Sequence, residues 1–408
     1  MNKYNCDFLI AGGGIVGLCI AFQLIERGIS NDIIIFDKEP ELGLHSSGRN
    51  SGVLHAGIYY EPKSLKAKVC IEGAKRLKNF IFERKIKINK CGKLIIPQKL
   101  ELDSQLDKLF ERGKKNGANI EFVNSFEINK LASYVNITSG RGLWSPDTSV
   151  VNALEVIKKL KLELEEKGVK IINSCKNWEL NKSKKELIIN NDTNVGFLHF
   201  VNSAGLHSDE VAHKFDVGLD YKIIPFKGIY WKLKERSPFD ININIYPVPD
   251  LNIPFLGVHF TPNVSKNIIN IGPTAIPALG RENYKIFENI QIFNALKDFK
   301  FLANQYYINK DGFRKYVNEQ AFLGFPLLFL RSAQELIPGL KYFHIERSDK
   351  VGLRAQLFNL KKNQIINDFL CLKGENSTHI INSISPAFTA SFSFADFVID
   401  NYLLYSLS

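Results

Sequence analysis

The sequence is poor in the residues that staple or anchor a chain. Its 408 residues include six cysteines and one methionine. Cys6, Cys19, Cys70, Cys91, Cys175 and Cys371 are scattered, with no Cys-x-x-Cys pair and no histidine pair at the spacing of a helical zinc site. A disulfide framework and a metal centre are therefore not expected, and single cysteines in apolar settings such as Cys19 read as core residues in a reducing compartment. Long apolar runs are missing too. The longest, Ala321–Leu330, is broken by Gly324 and Pro326 and falls far short of the roughly 20 residues a membrane-spanning helix needs. The first residues lack the charged, apolar and small-residue regions of a signal peptide. The expectation is a cytoplasmic protein, at most peripheral at the inner face of a membrane. Lysine and arginine exceed aspartate and glutamate by 53 − 42 = 11, yet they form no dense block interleaved with aromatics, so nucleic-acid binding is not expected. No internal repeat or low-complexity linker is evident.

What remains is ordinary globular composition, 45% hydrophobic and 23% charged. The length suits two intimately connected domains, with a core large enough to stabilise itself. Cys6–Ala11 reads as a buried strand, Ile15–Glu26 as a helix ending near Gly28, and Ile33–Phe36 as a second buried strand. That is a βαβ unit with a right-handed crossover. Residues 43–57 are too rich in Gly, Ser and Asn to be regular throughout. Helices are expected over 64–83, 100–117 and 152–168, with short strands over 169–174 and 200–203. From Tyr221 to Ile276, short strands punctuated by Pro and Gly have the texture of an antiparallel sheet. Residues 287–339 read as helical, 350–385 as strands again, and 387–405 as a closing helix. The fold class expected is α/β: a Rossmann-type nucleotide-binding domain (1–85, 145–220 and 345–408) with an inserted antiparallel-sheet substrate domain (86–144 and 221–344).

The loop Gly12-Gly13-Gly14-Ile15-Val16-Gly17 satisfies GxGxxG between that first strand and helix. Gly12 permits the tight turn, Gly14 lets a pyrophosphate approach the backbone, and Gly17 lets helix and strand pack closely. Asp37 ends the second strand, where a carboxylate would meet the ribose hydroxyls of an adenosine. No second nucleotide loop is found. Phe200-Val201-Asn202-Ser203-Ala204-Gly205 is a strand followed by a small-residue turn, so Ala204 and Gly205 could pass close to the same dinucleotide. One tightly held dinucleotide is expected.

A longer pattern then stands out. The run His45-Ser46-Ser47-Gly48-Arg49-Asn50-Ser51-Gly52-Val53-Leu54-His55-Ala56-Gly57-Ile58-Tyr59-Tyr60, continuing through Ser64–Lys68, closely resembles the L-2-hydroxyglutarate dehydrogenase/oxidase family of the D-amino-acid-oxidase-like flavoproteins. Further matches follow at Tyr246–Pro249, Pro254–Pro262, Gly272–Ala275, Gly352–Gln356 and Ser385–Ser391, so the likeness spans essentially the whole chain. Departures fall near the last block: Phe388 replaces a smaller residue, Ile384 a proline and Ala395 a glycine. The resemblance implies FAD as cofactor and a small 2-hydroxy acid, L-2-hydroxyglutarate first, as substrate. O2 or a membrane quinone would then take up the electrons, since no NAD loop is present. It implies that Ser47, Asn50, Ser51, Gly52, Pro386 and Ala387 lie against the cofactor. An amino-acid or amine oxidase of the same fold, and a non-catalytic flavin-binding assembly protein, remain alternatives.

Oxidising a 2-hydroxy acid requires a base near the hydroxyl, cations for carboxylates and a dry face beside the flavin. His55 is the first candidate base, in a loop that the resemblance brings close to the flavin, where an imidazole would have a pKa near the working pH. His259 is the second. His45 could touch the flavin or cap the loop. Arg354, in Gly352-Leu353-Arg354, matches the arginine that holds the substrate carboxylate in the wider class, and a guanidinium offers paired donors in fixed geometry. Arg281, Lys68 and Lys227 are candidates for a second carboxylate, and Tyr59 and Tyr60 for a hydrogen bond.

Overall fold

The computed structural model describes residues 2–249, 257–285 and 287–404; residues 254–256 of the Pro254–Pro262 block lie outside them. Two large sheets organise the chain. In the first, the strands Lys170–Ile172, Ile33–Phe36, Asn2–Ala11, Thr193–Asn202 and Ser377–Asn382 run parallel in that order. Antiparallel strands at Trp178–Asn181, Glu186–Ile189 and Leu370–Gly374 extend it. Ala11 pairs with Asn202 on one side and Phe36 on the other, so three strand ends meet at the glycine loop. The central strands are continuous apolar runs because helices cover both faces of a parallel sheet. Residues 15–24 of the first helix are buried on every side. It packs against the helices Ala153–Glu166 and Ala387–Val398, and the latter also packs on Leu65–Glu83.

The second sheet is largely antiparallel. It contains Gln364–Ile365, Ile345–Asn359, Tyr221–Leu233, Ile269–Gly272, His259–Pro262, Asn244–Pro247, Lys93–Ile96, Arg141–Ser145 and Glu121–Asn124 in that order. The long pair Tyr221–Leu233 and Ile345–Asn359 sets Arg354 opposite Phe226. Asn244–Pro247 runs parallel to Lys93–Ile96, pairing Tyr246 with Ile95. The expected helical stretch resolves into Ile292–Ile308, Phe313–Gln320 and Pro326–Gln334. Two differences from the sequence reading concern the second sheet. Residues 345–359, placed above with the nucleotide-binding part, form a strand of the second sheet. The strands Lys93–Ile96, Glu121–Asn124 and Arg141–Ser145 were not foreseen, being short segments whose partners are remote in sequence.

Candidate active site

The glycine loop is held by backbone contacts that leave no room for side chains. Gly12 has φ +100°, and a Cβ there would lie 2.6 Å from the Ser203 carbonyl oxygen. A Cβ on Gly17 would fall 2.2 Å from the Gly12 oxygen. Both positions therefore demand glycine, as the loop pattern predicts. Gly14 caps the helix without any side-chain hydrogen bond, and Ile15 N–H donates to Ser47 Oγ at 3.0 Å. Asp37 accepts from the N–H groups of Gly13 at 2.7 Å and Glu39 at 2.9 Å, which ties the second strand to the loop.

One cavity of about 570 Å³ is lined both by this loop and by Arg354. Gly12, Gly14, Asp37, Ser47, Asn50, Ser51, Ala204, Gly205, Pro386 and Ala387 face it, together with His45, His55, His259 and Phe388. A dinucleotide fits this wall. An uncapped helix N-terminus meets the cavity at Gly14, Ile15 and Val16, where an anion would be favoured, and a Cβ on Gly14 would press on Ser47 Oγ at 2.9 Å. Among the described residues, Lys38, Arg49, Lys176, Lys214 and Arg354 line the cavity with two carboxylates, Asp37 and Glu210, a balance suited to an anionic occupant.

Two of the expected cofactor residues do not line it. Gly17 acts through close packing, as argued. Gly52, with φ +75°, is a turn residue whose Cβ would meet the Val151 oxygen at 2.1 Å, so it shapes the loop rather than facing the cavity.

At the Arg354 end the groups are dry. His259 is 5% exposed. Its Nδ1 lies 2.8 Å from the Gly257 carbonyl, so the neutral ring donates there and keeps Nε2 as an acceptor. It stacks on Tyr246 with ring centroids 4.0 Å apart. Burial pushes its pKa down to about 3. His55 is anchored through its backbone N–H to Thr389 Oγ1 at 3.1 Å, while its Nδ1 is buried without a hydrogen-bond partner. Burial, then the charge on Lys93, then His259, hold the His55 imidazole well below its ordinary range. The expectation of a pKa near the working pH thus gives way to a neutral ring, because no carboxylate supports its charge.

The proposed second cations do not reach the cavity. Arg281 is 6% exposed and spent on a buried pair with Asp209, at 2.6 and 2.8 Å. Lys227 donates to Asn283 Oδ1 at 2.5 Å. Lys68 is exposed. Tyr59 and Tyr60 also lie outside the lining. His45 bonds Tyr284 Oη at 2.7 Å and Glu39 at 2.9 Å, so it caps the loop.

Several residues were missed by sequence reasoning. Tyr230 and Tyr246 line the Arg354 end, and Trp178 and Lys176 line the cavity with Asp37 and Lys38. Lys93, fully buried, lies with its Nζ 4.5 Å from the Tyr246 ring centre and 5.0 Å from that of Tyr59. The only sequence signal was a lysine heading the apolar run Lys93–Ile96. A polar clasp was missed as well. Glu282, between the second-sheet strands in sequence, is gripped by His207 at 2.8 Å and by Lys38 of the nucleotide side. The His207 hydrogen bond and Lys38 hold its carboxyl at about 2. The six cysteines are buried and free; burial pushes the Cys19 thiol up to about 12, which suits an inert core residue.

Comparison with known proteins agrees with this geometry. Residues 7–398 match the family model described as FAD dependent oxidoreductase. L-2-hydroxyglutarate dehydrogenase, mitochondrial, of Caenorhabditis briggsae is 35% identical over 98% of this chain and 93% of its own. The protein of that name from Homo sapiens is 33% identical over 97% and 88%. L-2-hydroxyglutarate dehydrogenase of Indibacter alkaliphilus is 33% identical over 94% and 96%. Among solved structures, L-alpha-glycerophosphate oxidase from Mycoplasma pneumoniae with FAD bound superposes with a TM-score of 0.75 at 22% identity, covering 97% of this chain and 94% of that one. Glycine oxidase from Geobacillus kaustophilus gives 0.71 at 15% identity, with the same coverage. These two share the fold.

Proposed function

The chain belongs to the L-2-hydroxyglutarate dehydrogenase family of FAD-dependent oxidoreductases, and from that premise we propose that it oxidises L-2-hydroxyglutarate to 2-oxoglutarate at the Arg354 end of the cavity. The observation that carries the reading is the single cavity joining the glycine loop to Arg354, His55 and His259. FAD, when bound, supplies the two-electron acceptor for the hydride leaving C2. The protein supplies the rest. Arg354 holds one carboxylate through paired guanidinium donors. His259 Nε2, fixed as an acceptor by the Gly257 bond, orients the hydroxyl. His55 takes the hydroxyl proton at an imidazole nitrogen. Its ring has no protein hydrogen bond at Nδ1 to give up, and the arriving carboxylate charges raise its pKa towards the range a base needs. Tyr246, Tyr230 and Phe388 exclude water. The test is anaerobic mixing with L-2-hydroxyglutarate: the flavin should bleach, faster than with the D enantiomer, glycine or glycerol 3-phosphate. Bleaching by an amino acid instead would move the chain to the amine-oxidising alternative.

The electrons pass to a membrane quinone, and the exposed surface around Ile292–Ile308 supports this. In the segment 287–327, Phe287, Ile292, Phe293, Leu296, Tyr307, Phe322, Phe325 and Leu327 are exposed, as are Lys297, Lys300, Lys310 and Arg314. Apolar side chains among cations suit the interface of an anionic bilayer. No helix among the described residues is long and apolar enough to cross it. The holoprotein should sediment with vesicles containing phosphatidylserine, and Phe293→Glu should abolish this. Vesicle-independent turnover with O2 alone would refute the quinone assignment.

A further inference from the structure

Residues 280–284 lie in the connection between the strand Ile276–Pro277 and the helix Ile292–Ile308 and have no regular structure of their own. Among the described residues, their backbone N–H groups bond only within the connection, Asn283 to the Gly280 carbonyl and Tyr284 to that of Glu282. Side chains tie them to the nucleotide side, in three successive grips. Arg281 pairs with Asp209 at 2.6 and 2.8 Å, and both side chains are buried. Glu282 accepts from His207 at 2.8 Å and from Lys38. Tyr284 Oη lies 2.7 Å from His45 Nδ1, and its ring centre is 4.1 Å from the Arg49 guanidinium carbon. Burial, then the charge on Lys38, lower the His45 pKa, so the neutral ring donates from Nε2 to Glu39 and accepts from Tyr284 at Nδ1. Lys38, His45, Arg49 and His207 all line the cavity. The loop that Tyr284 holds touches both ends of it: Ser47 Oγ accepts from Ile15 N–H, and Ser46 Oγ donates at 3.0 Å to the carbonyl of Leu353, beside Arg354.

We propose that Glu282 and Tyr284 form a latch, hinged at Arg281, that must open for FAD to enter or leave the cavity. The proposal concerns the cofactor alone and holds whatever the substrate. The three grips differ in how readily they break. Parting Arg281 from Asp209 would strand two buried charges, which is strongly unfavourable, so that grip stays made and serves as the hinge. Lys38, His45, His207 and Glu282 each keep a quarter to a third of the side chain exposed. Ion pairs and hydrogen bonds in such a setting exchange for water at little net loss. Residues 282–284 therefore lift while Arg281 remains seated, and the loop carrying His45 and Arg49 is released with them. Every contact of the latch joins protein groups to one another. The closed form gains the same from them with FAD bound or absent, and a contact that does not distinguish two states cannot shift the balance between them. The latch thus sets the rate of passage in both directions and leaves the affinity alone, as a lid does.

The experiment uses the FAD-loaded protein and needs no substrate. The holoprotein is diluted, and the rise of flavin fluorescence is followed until it levels off. The initial slope reports the rate of release and the final level reports the dissociation constant. Wild type is compared with Glu282→Gln, Tyr284→Phe, the double variant and Glu163→Gln. The last removes a similarly exposed pair, Glu163 with Arg84 at 2.7 Å, whose members lie outside the cavity lining. Each single latch variant should release FAD roughly three- to tenfold faster, and the double variant faster than either. The dissociation constant should stay within about twofold of wild type in all of them, and Glu163→Gln should match wild type in both readings. Faster release with a proportionate rise in the dissociation constant would mean that these groups hold bound FAD directly, and would overturn the latch. So would wild-type release from both single variants, or an equal acceleration in Glu163→Gln, which would mark general loosening of the fold.

Discussion

Replacing Lys93 by methionine should make the ligand-free holoprotein more stable, and by an amount that depends on pH in a definite direction. Burial lowers the Lys93 pKa from the ordinary 10.5 to about 7. At about 1.4 kcal/mol per pKa unit, that difference costs the fold about 5 kcal/mol whenever the unfolded chain is protonated. The two tyrosine rings return roughly 1–2 kcal/mol of cation–π attraction. Methionine keeps most of the stem's packing and removes the charge, so a net gain of about 3 kcal/mol is expected at pH 6.5. For a chain of this size that corresponds to a rise of roughly 3–4 °C in melting temperature. The sign with pH follows from the depressed value: the penalty is complete at and below pH 7 and fades as pH climbs towards 10.5, where the unfolded lysine also loses its proton. The gain should therefore shrink by more than half by pH 9.5. Thermal melts of both proteins with FAD bound, followed by circular dichroism at pH 6.5, 8 and 9.5, measure this. A methionine variant that is less stable at pH 6.5, or a gain that does not shrink with pH, would refute the claim that the ammonium is buried unpaired.

Three further outcomes are expected. Arg354→Ala should keep its flavin and lose kcat/KM by about 10²–10³-fold, the worth of a charge-assisted carboxylate contact left unmade; unchanged kinetics would take Arg354 out of the site. Because the His55 imidazole is held neutral far below its ordinary range, kcat/KM should not decline from pH 8 to pH 5.5 through imidazole protonation. His55→Ala should slow anaerobic flavin bleaching at least a hundredfold, and a wild-type rate would pass the base role to His259. Glu282→Gln should speed FAD release up to tenfold, seen as rising flavin fluorescence on dilution, by loosening the grip of His207 and Lys38.

The parts of this site that were legible in the sequence are those where backbone geometry or functional-group chemistry leaves few choices. Gly12 and Gly17 announce themselves because any side chain would strike Ser203 or Gly12 itself. Arg354, His55 and His259 could be picked out as candidates because few residue types can bind a carboxylate or move a proton, and all three line the cavity. Lys93 was not, since a single lysine before Leu-Ile-Ile looks the same whether it heads an exposed edge or a sealed strand. Only the pairing of Lys93–Ile96 with Asn244–Pro247 decides that, and the two lie far apart in the chain. The same remoteness hid the place of Ile345–Asn359. Its strand character was expected, but its partner Tyr221–Leu233 could not be read from local pattern. Arg281 misled for a related reason: its charge was conspicuous, while Asp209, which consumes it, was distant.

The parallel sheet that carries the glycine loop draws its neighbouring strands from near both ends and the middle of the chain, Asn2–Ala11 beside Thr193–Asn202 and that beside Ser377–Asn382. The helix Ala387–Val398 then covers the helix that follows the loop. During synthesis the glycine loop precedes Thr193–Asn202 and Ser377–Asn382 by a long stretch of chain, and the cavity wall it shares with Pro386 and Ala387 is complete only when the later segments join. A nascent chain therefore has the right residues long before it has a cofactor pocket. Flavin capture is therefore expected only once these segments have joined the sheet, and losing the helix Ala387–Val398 should cost the yellow colour before it costs secondary structure.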